Sequence, residues 1–192
     1  GMRTVLSGRD DRPVVPTAAD TSGLPILPEG WVWTTLEAIA DIIQGLSPPS
    51  STYNDERTGL PFYQGKLDFG KTYPSPKKWC NAPTKIAEKD NVLISVRAPV
   101  GPTNICLERS CIGRGLAAIR GADGIETFFI LYLMRAFEQI LSGQGTGTTF
   151  NAITGNHLRN LVIPLPPLPE QHKIVEEIDR CFSVSDEIEM TV

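Results

Sequence analysis

Histidine is nearly absent from this chain: among 192 residues there are two, His157 and His172. Both are isolated, so no Ser-His-Asp or Cys-His centre can be proposed from spacing. No Glu is followed two residues later by Lys, the spacing that a restriction-type nuclease core requires. Cysteine is sparse as well. Cys80, Cys106, Cys111 and Cys181 lie 26, 5 and 70 positions apart, with no CxxC pair and no neighbouring His to complete a zinc site, so unpaired thiols and no metal are expected. A long hydrophobic run is missing too. The longest, residues 125–141, carries Glu126, Arg135 and Glu138 and is too short to span a bilayer. No secretory signal is visible, the opening Gly1-Met2 reads as a tag remnant, and the cytoplasm is the expected location.

What remains is a chain with 41% hydrophobic residues, enough for one sizeable core, punctuated by 16 prolines and 17 glycines. That composition points to a mixed domain with many short elements, and with the proline stop and apolar seam near the C-terminus it gives the expected α+β fold: a mixed domain with a twisted β-sheet and short helices, followed by a projecting C-terminal helix of coiled-coil type. Residues 1–23, polar and without periodicity, read as a flexible leader, residues 24–168 as the domain, and residues 169–192 as the helix.

Charge is unevenly spread. The net charge is −4, yet residues 57–120 hold eleven Lys and Arg against four Asp and Glu, while residues 170–192 hold two against seven. A basic middle is what contact with phosphate needs locally, and an acidic tail would be repelled from a duplex and suits a protein partner. On charge alone, a solvated mixed surface explains the middle equally well.

Along the chain, Trp31 and Trp33 share a face if extended. Leu36, Ile39, Ala40 and Ile43 follow at helical spacing behind Thr34 or Thr35 as cap, which predicts a short helix ending at Gly45. Residues 46–78 are loop-rich, with aromatic, amide and lysine side chains alternating with turn residues. Residues 92–96, 105–107 and 112–119 read as strands that pair in one sheet, the last with a bulge at Gly113 and Gly115. A largely buried helix is expected over 127–141, then a flexible loop over 143–150 and a short helix capped by Thr154. Leu161, Val162 and Ile163 suit a buried strand that must stop where Pro164, Pro166, Pro167 and Pro169 begin. Pro169 and Glu170 then suit the first turn of a helix.

Three local patterns look like chemistry and are refused by their context. Residues 65–72 fit GxxxxGK[ST], but Pro74 and Pro76 forbid the helix whose N-terminus would meet phosphates. Ser47-Pro48-Pro49-Ser50 is similar to an amino-methyltransferase site, but serine stands where an aromatic residue would stack on a flipped base, and no Gly-rich turn precedes it to bind S-adenosylmethionine. The glycine-rich loop after Gly143 has no lysine and no helix start behind it. No catalytic residue and no cofactor is expected. In the terminal helix Ile174, Ile178, Cys181, Ser185, Ile188 and Val192 step by 4, 3, 4, 3 and 4, a seam broadened by Val175 and Phe182. Such a seam either folds back on its own domain or pairs with another helix, and its regularity favours a partner.

Several blocks taken together carry a resemblance. Residues 27–33 with Leu36, residues 59–65, residues 90–101, Gly145-Thr146 leading to residues 150–153, and residues 163–171 followed by Ile174 resemble the target recognition domain of a type I restriction enzyme specificity subunit. The resemblance covers about residues 24–190, and its most specific part is the proline-rich block running into Glu170-Gln171. It implies a non-catalytic module that reads one half of a bipartite sequence in double-stranded DNA. In that family two such domains, each followed by a long spacer helix, pack their helices antiparallel. Methyltransferase subunits bring S-adenosylmethionine, and restriction subunits bring ATP-driven translocation and cleavage. With one domain and one short helix, this chain would be a fragment, or a half that forms a homodimer through the helix.

Base-contacting residues cannot be transferred by motif, so chemistry selects them. Arg97 and Arg114 suit bidentate contact with guanine or phosphate, and Gln64 suits adenine. Lys66, Lys71, Lys77 and Lys78 suit phosphates, and Tyr63 and Tyr73 suit stacking or hydrogen bonding. Helix pairing is assigned to Ile174, Ile178, Cys181, Ser185 and Ile188. Against this stands an adaptor that uses the acidic helix and the proline-rich edge without reading DNA.

Overall fold

Strands β7 (Val92–Ser95) and β10 (Leu116–Gly121) are buried on both faces, and the rest of the domain is arranged around that fact. In the computed structural model, which describes residues 23–143 and 151–189, alternate side chains of these strands serve two cores. Val92, Ile94, Ala117 and Ile119 enter the larger core, and Leu93, Leu116 and Ala118 enter the smaller one. This is the period of two expected of a strand, with apolar material on each side.

A four-stranded antiparallel sheet has the order β2-β10-β7-β8, adding β2 (Ala40–Gln44) and β8 (Thr103–Ile105). Beneath it lies a five-stranded sheet of order β3-β5-β4-β9-β6, built from β3 (Tyr53–Asn54), β4 (Leu60–Tyr63), β5 (Lys78–Cys80), β6 (Ile86–Ala87) and β9 (Ser110–Ile112). Its one parallel pairing joins β4 to β9, with Phe62 opposite Cys111. On the other face of the four-stranded sheet pack α1 (Leu36–Ile39), α2 (Thr127–Ala136), α3 (Glu138–Ser142), α4 (Gly155–Arg159) and the start of α5 (Leu168–Glu189). A two-stranded ribbon, β1 (Val32–Thr35) with β11 (Val162–Leu165), closes the domain next to α5.

The mixed α/β architecture and most elements agree with expectation, and four differ. The helix expected up to Gly45 is a single turn, after which Ala40–Gln44 is a strand. β-Branched Ile42 and Ile43 pair with Ile119 and Ala118 of β10, and that long-range pairing outweighs the local helical spacing. The run 112–119 is two strands in two sheets, so the three runs do not form one sheet. Strand β11 continues through Pro164 to Leu165 because it has a single neighbour: Pro164 lies opposite Trp33 at an edge where its missing N–H costs no ladder bond. The long helix breaks at Phe137 into α2 and α3 and ends at Gly143, whose φ of 74° suits glycine. Thr154 caps α4 as expected, and His157 returns the bond, its Nδ1 accepting from the Thr154 N–H at 3.2 Å. The expected leader up to residue 22 and the loop 144–150 lie outside the described residues.

Helix α5 docks by its first turns. Gln171, 1% exposed, donates from Nε2 to the Pro166 carbonyl at 2.9 Å, and Val175 joins the larger core. Trp31 Nε1 donates to Glu170 Oε2 at 3.0 Å, and the Tyr132 hydroxyl of α2 donates to Asp179. Ile174 and Ile178 are half-buried, whereas Cys181 and Phe182 are exposed. Within α5, the side chains of Ser185 and Ile188 lie outside the described residues.

Candidate nucleic-acid interface

Arg114 owes its position to the passage of the chain from one sheet to the other. β9 ends at Ile112 and β10 begins at Leu116, so Gly113, Arg114 and Gly115 make the crossing. The Gly113 N–H donates to the Tyr63 carbonyl at 2.8 Å, and the Val96 N–H donates to the Gly115 carbonyl at 2.9 Å. A Cβ on Gly115 would stand 2.2 Å from the Gln64 carbonyl oxygen, so only glycine permits this approach. Ser47 Oγ accepts from the Arg114 N–H at 3.2 Å, and the guanidinium is left at the surface. The Ser47-Pro48-Pro49-Ser50 segment, irregular up to the 3-10 turn Ser50–Thr52, thus braces this crossing. The Tyr53 hydroxyl fastens it by donating to the Pro48 carbonyl at 2.7 Å.

Gln64 follows β4 and opens a turn that Asp68 holds. One carboxylate oxygen, Asp68 Oδ2, accepts from the backbone N–H of Gln64 at 2.7 Å and of Gly65 at 3.4 Å. Residues 66–68 form one 3-10 turn, and the chain then runs on through bends without a helix, so the phosphate-loop pattern has no helix to complete it. Lys77 Nζ donates to the Leu67 carbonyl at 2.8 Å, and Lys78 pairs with Asp55 at 2.7 Å. Arg97 follows β7. Ser95 Oγ donates to its carbonyl at 3.0 Å, and a bridge to Ala152 fixes its backbone.

These pieces meet. Gln64, Lys66, Lys77, Lys78, Arg97 and Arg114 line one cleft of about 710 Å³, with Phe62, Ser47 and Asp68 among its other walls. Five cationic side chains face one carboxylate, and that carboxylate already accepts two backbone hydrogen bonds. Among the described residues, Lys66, Lys77, Arg97 and Arg114 have no carboxylate partner. Such a cleft can neutralise phosphates and offer forked donors and an amide to base edges. Among the described residues no cluster of three or more His, Cys, Asp or Glu is arranged to hold a metal ion, and no helix is long and apolar enough to cross a membrane.

Three expected contact residues lie elsewhere. Tyr63 is 1% exposed in the smaller core, and burial, with a lesser contribution from Cys106, pushes its phenol up to about 12. It packs in that core, does not line the cleft and is not placed to stack on a base. Lys71 and Tyr73 line a separate groove beside Tyr132, Arg135 and Phe182. Their loop is held there because the Ile105 N–H donates to the Thr72 carbonyl at 2.8 Å and Arg135 donates to the Lys71 carbonyl at 2.8 Å. Sequence reasoning missed Ser47, whose only signal was its turn, and Leu67, an apolar residue in a basic loop.

The comparison that decides the family comes from the whole domain. Residues 28–191 match the family described as the type I restriction modification DNA specificity domain. The chain belongs to that family. This specificity domain is similar to the putative type I restriction enzyme MjaX specificity subunit of Methanocaldococcus jannaschii, 43% identical over 167 residues, which are 85% of this chain and 39% of that subunit. It is also similar to the EcoDI specificity subunit of Escherichia coli, 25% identical over 179 residues, covering 88% of this chain and 38% of that one. The crystal structure of the HsdS subunit from Thermoanaerobacter tengcongensis matches with a TM-score of 0.79 at 48% identity over 88% of this chain and 41% of its own. A chain from a structural study of assembly and conformational transition in the type I R-M system matches with a TM-score of 0.81 at 50% identity, covering 88% and 42%. The specificity domain therefore spans about two fifths of the length of the curated relatives it matches.

Proposed function

We propose that this specificity domain reads one half of a bipartite sequence in double-stranded DNA, and that it directs methylation and cleavage carried out by partner methyltransferase and restriction subunits in the cytoplasm. The observation that carries the reading is the convergence of six chosen side chains, from separate stretches of sequence, on one basic cleft. Lys66, Lys77 and Lys78 hold phosphates and set the register, and Gln64, Arg97 and Arg114 supply base-edge contacts. The chain contributes no catalytic group and binds no cofactor of its own. Helix α5 meets another helix, from a second specificity domain or a second copy of this chain, through the distal seam that begins at Ile178 and Cys181 and continues to Ser185 and Ile188. The exposed Phe182 supports an apolar partner there. An adaptor acting only through the helix and the proline-rich edge leaves the cleft without a use.

Selection from a random duplex pool, with the chain alone and with methyltransferase subunits, tests the reading. Enrichment of a short common sequence is expected, and no enrichment in either case overturns it. Replacing Lys77 and Lys78 by Glu should lower affinity across all duplexes and reduce the slope of log affinity against log salt by about one for each phosphate no longer neutralised.

A further inference from the structure

Among the described residues, Leu67 is the large apolar side chain that projects into the basic cleft from an exposed position: it is 85% exposed, and it lines the cleft beside Gln64 and Lys66. An exposed leucine ordinarily calls for no explanation, but here its backbone is fixed from several sides. The Asp68 carboxylate clamps the N–H groups of Gln64 and Gly65. The Asp68 N–H donates to the Gly65 carbonyl at 3.1 Å and the Phe69 N–H to the Lys66 carbonyl at 3.0 Å. Lys77 Nζ holds the Leu67 carbonyl itself, and the Ser75 N–H donates to the Asp68 carbonyl at 2.8 Å. The turn thus presents an isobutyl group from a fixed backbone, in the same cleft as a cation suited to phosphate and an amide suited to adenine.

We infer that Leu67 is a specificity-determining residue that reads the 5-methyl group of a thymine in the major groove, next to the base pair that Gln64 reads. This rests on the cleft being the DNA-reading surface. The major groove is the only place where a thymine displays its methyl group, and an apolar side chain is the partner that group selects. An amide and an aliphatic side chain from one clamped turn are matched to the adenine edge and the thymine methyl of neighbouring A·T pairs. A wedge that unstacks bases is the other use of an exposed apolar tip at DNA. A single leucine beside groups suited to base edges and phosphates fits contact in the groove better.

The test uses the duplex selected by the chain, with each thymine replaced in turn by deoxyuridine, which removes only the methyl group. At one position the substitution should weaken binding about fourfold, the worth of one buried methyl. Leu67→Ala should bind the thymine duplex that much more weakly and show no further loss with deoxyuridine there, while Leu67→Met restores the difference. A penalty that persists undiminished in Leu67→Ala, indifference to the methyl group at every thymine, or a selected half-site without an A·T pair overturns the assignment to Leu67 while leaving the DNA-reading function in place. Bases flanking the site that brighten as 2-aminopurine on binding, with uracil ignored, would make Leu67 a wedge and overturn it too. A chain that selects no duplex overturns the reading of the cleft and this inference together.

Discussion

Tyr63 and Gln64 are adjacent in sequence and serve opposite ends: one is sealed in the smaller core, the other open to the cleft. The seal has a pH consequence. Burial raises the Tyr63 phenol from 10.0 to about 12, so its neutral form is favoured in the folded chain. Its stabilising effect is therefore complete below pH 10.0 and is lost as the pH rises towards 12, because the unfolded chain ionises first. Denaturant midpoints should fall across that window, and Tyr63→Phe should lessen the fall while leaving DNA selection in place, since the hydroxyl does not face the cleft. Gly115 offers the sharper test of how the site is held. Gly115→Ala places a Cβ against the Gln64 carbonyl oxygen, and overpacking of this kind costs roughly 1–3 kcal/mol. Denaturant unfolding should show that loss, and sequence discrimination should weaken together with it, because the displaced backbone is the one that carries Gln64.

Among the elements, α5 divides its work along its length. Its first turns belong to the domain through Gln171 and Val175, and Val175→Ala, removing two buried carbons, should lower stability by about 1.5 kcal/mol in denaturant unfolding. Phe182, 49% exposed, faces both ways: its ring lies 6.2 Å from that of Tyr132, so Phe182→Ala should cost about 1 kcal/mol in denaturant unfolding, and it should also weaken any self-association seen by sedimentation. The element scale is also where sequence reading met its limits, for physical reasons. Helix α5 was legible because prolines, a first-turn Glu and an apolar period all act locally. Strand β2 was not, because Leu36, Ile39, Ala40 and Ile43 satisfy a helical period equally well and only the distant partner β10 decides. Strand β11 passes Pro164 because it is an edge, and whether a strand is an edge is a property of the sheet. Residues 112–119 carried a signal in Gly113 and Gly115, but a bulge and a crossing between sheets ask for the same small residues.

For the whole molecule, the local charge surplus mattered more than the net charge. A chain of net charge −4 carries a cleft lined by five cations because the basic residues of 57–120 are gathered there in part, while the acidic ones of 170–192 sit largely on α5. Binding should therefore be steeply salt-dependent despite the sequence pI of 5.2, a combination that a filter-binding titration in increasing salt would show directly. The composition of the cleft was readable in sequence. Its membership was not, since Lys71 and Tyr73 fit the chemistry as well as Lys66 and Gln64 and are separated from them only by the tie of their loop to β8. One further consequence follows from how the cleft residues are anchored. At Gln64, Leu67, Arg97 and Arg114 the backbone is gripped by a neighbouring side chain, from Asp68, Lys77, Ser95 and Ser47 respectively. Their own exposed side chains take no part in these grips. A library randomised at these four positions should thus melt within about 1–2 °C of the parent for most single changes, as exposed sites usually do. The sequences selected by its members should meanwhile diverge, so that, under the proposed DNA-reading role, the address could be rewritten without rebuilding the domain.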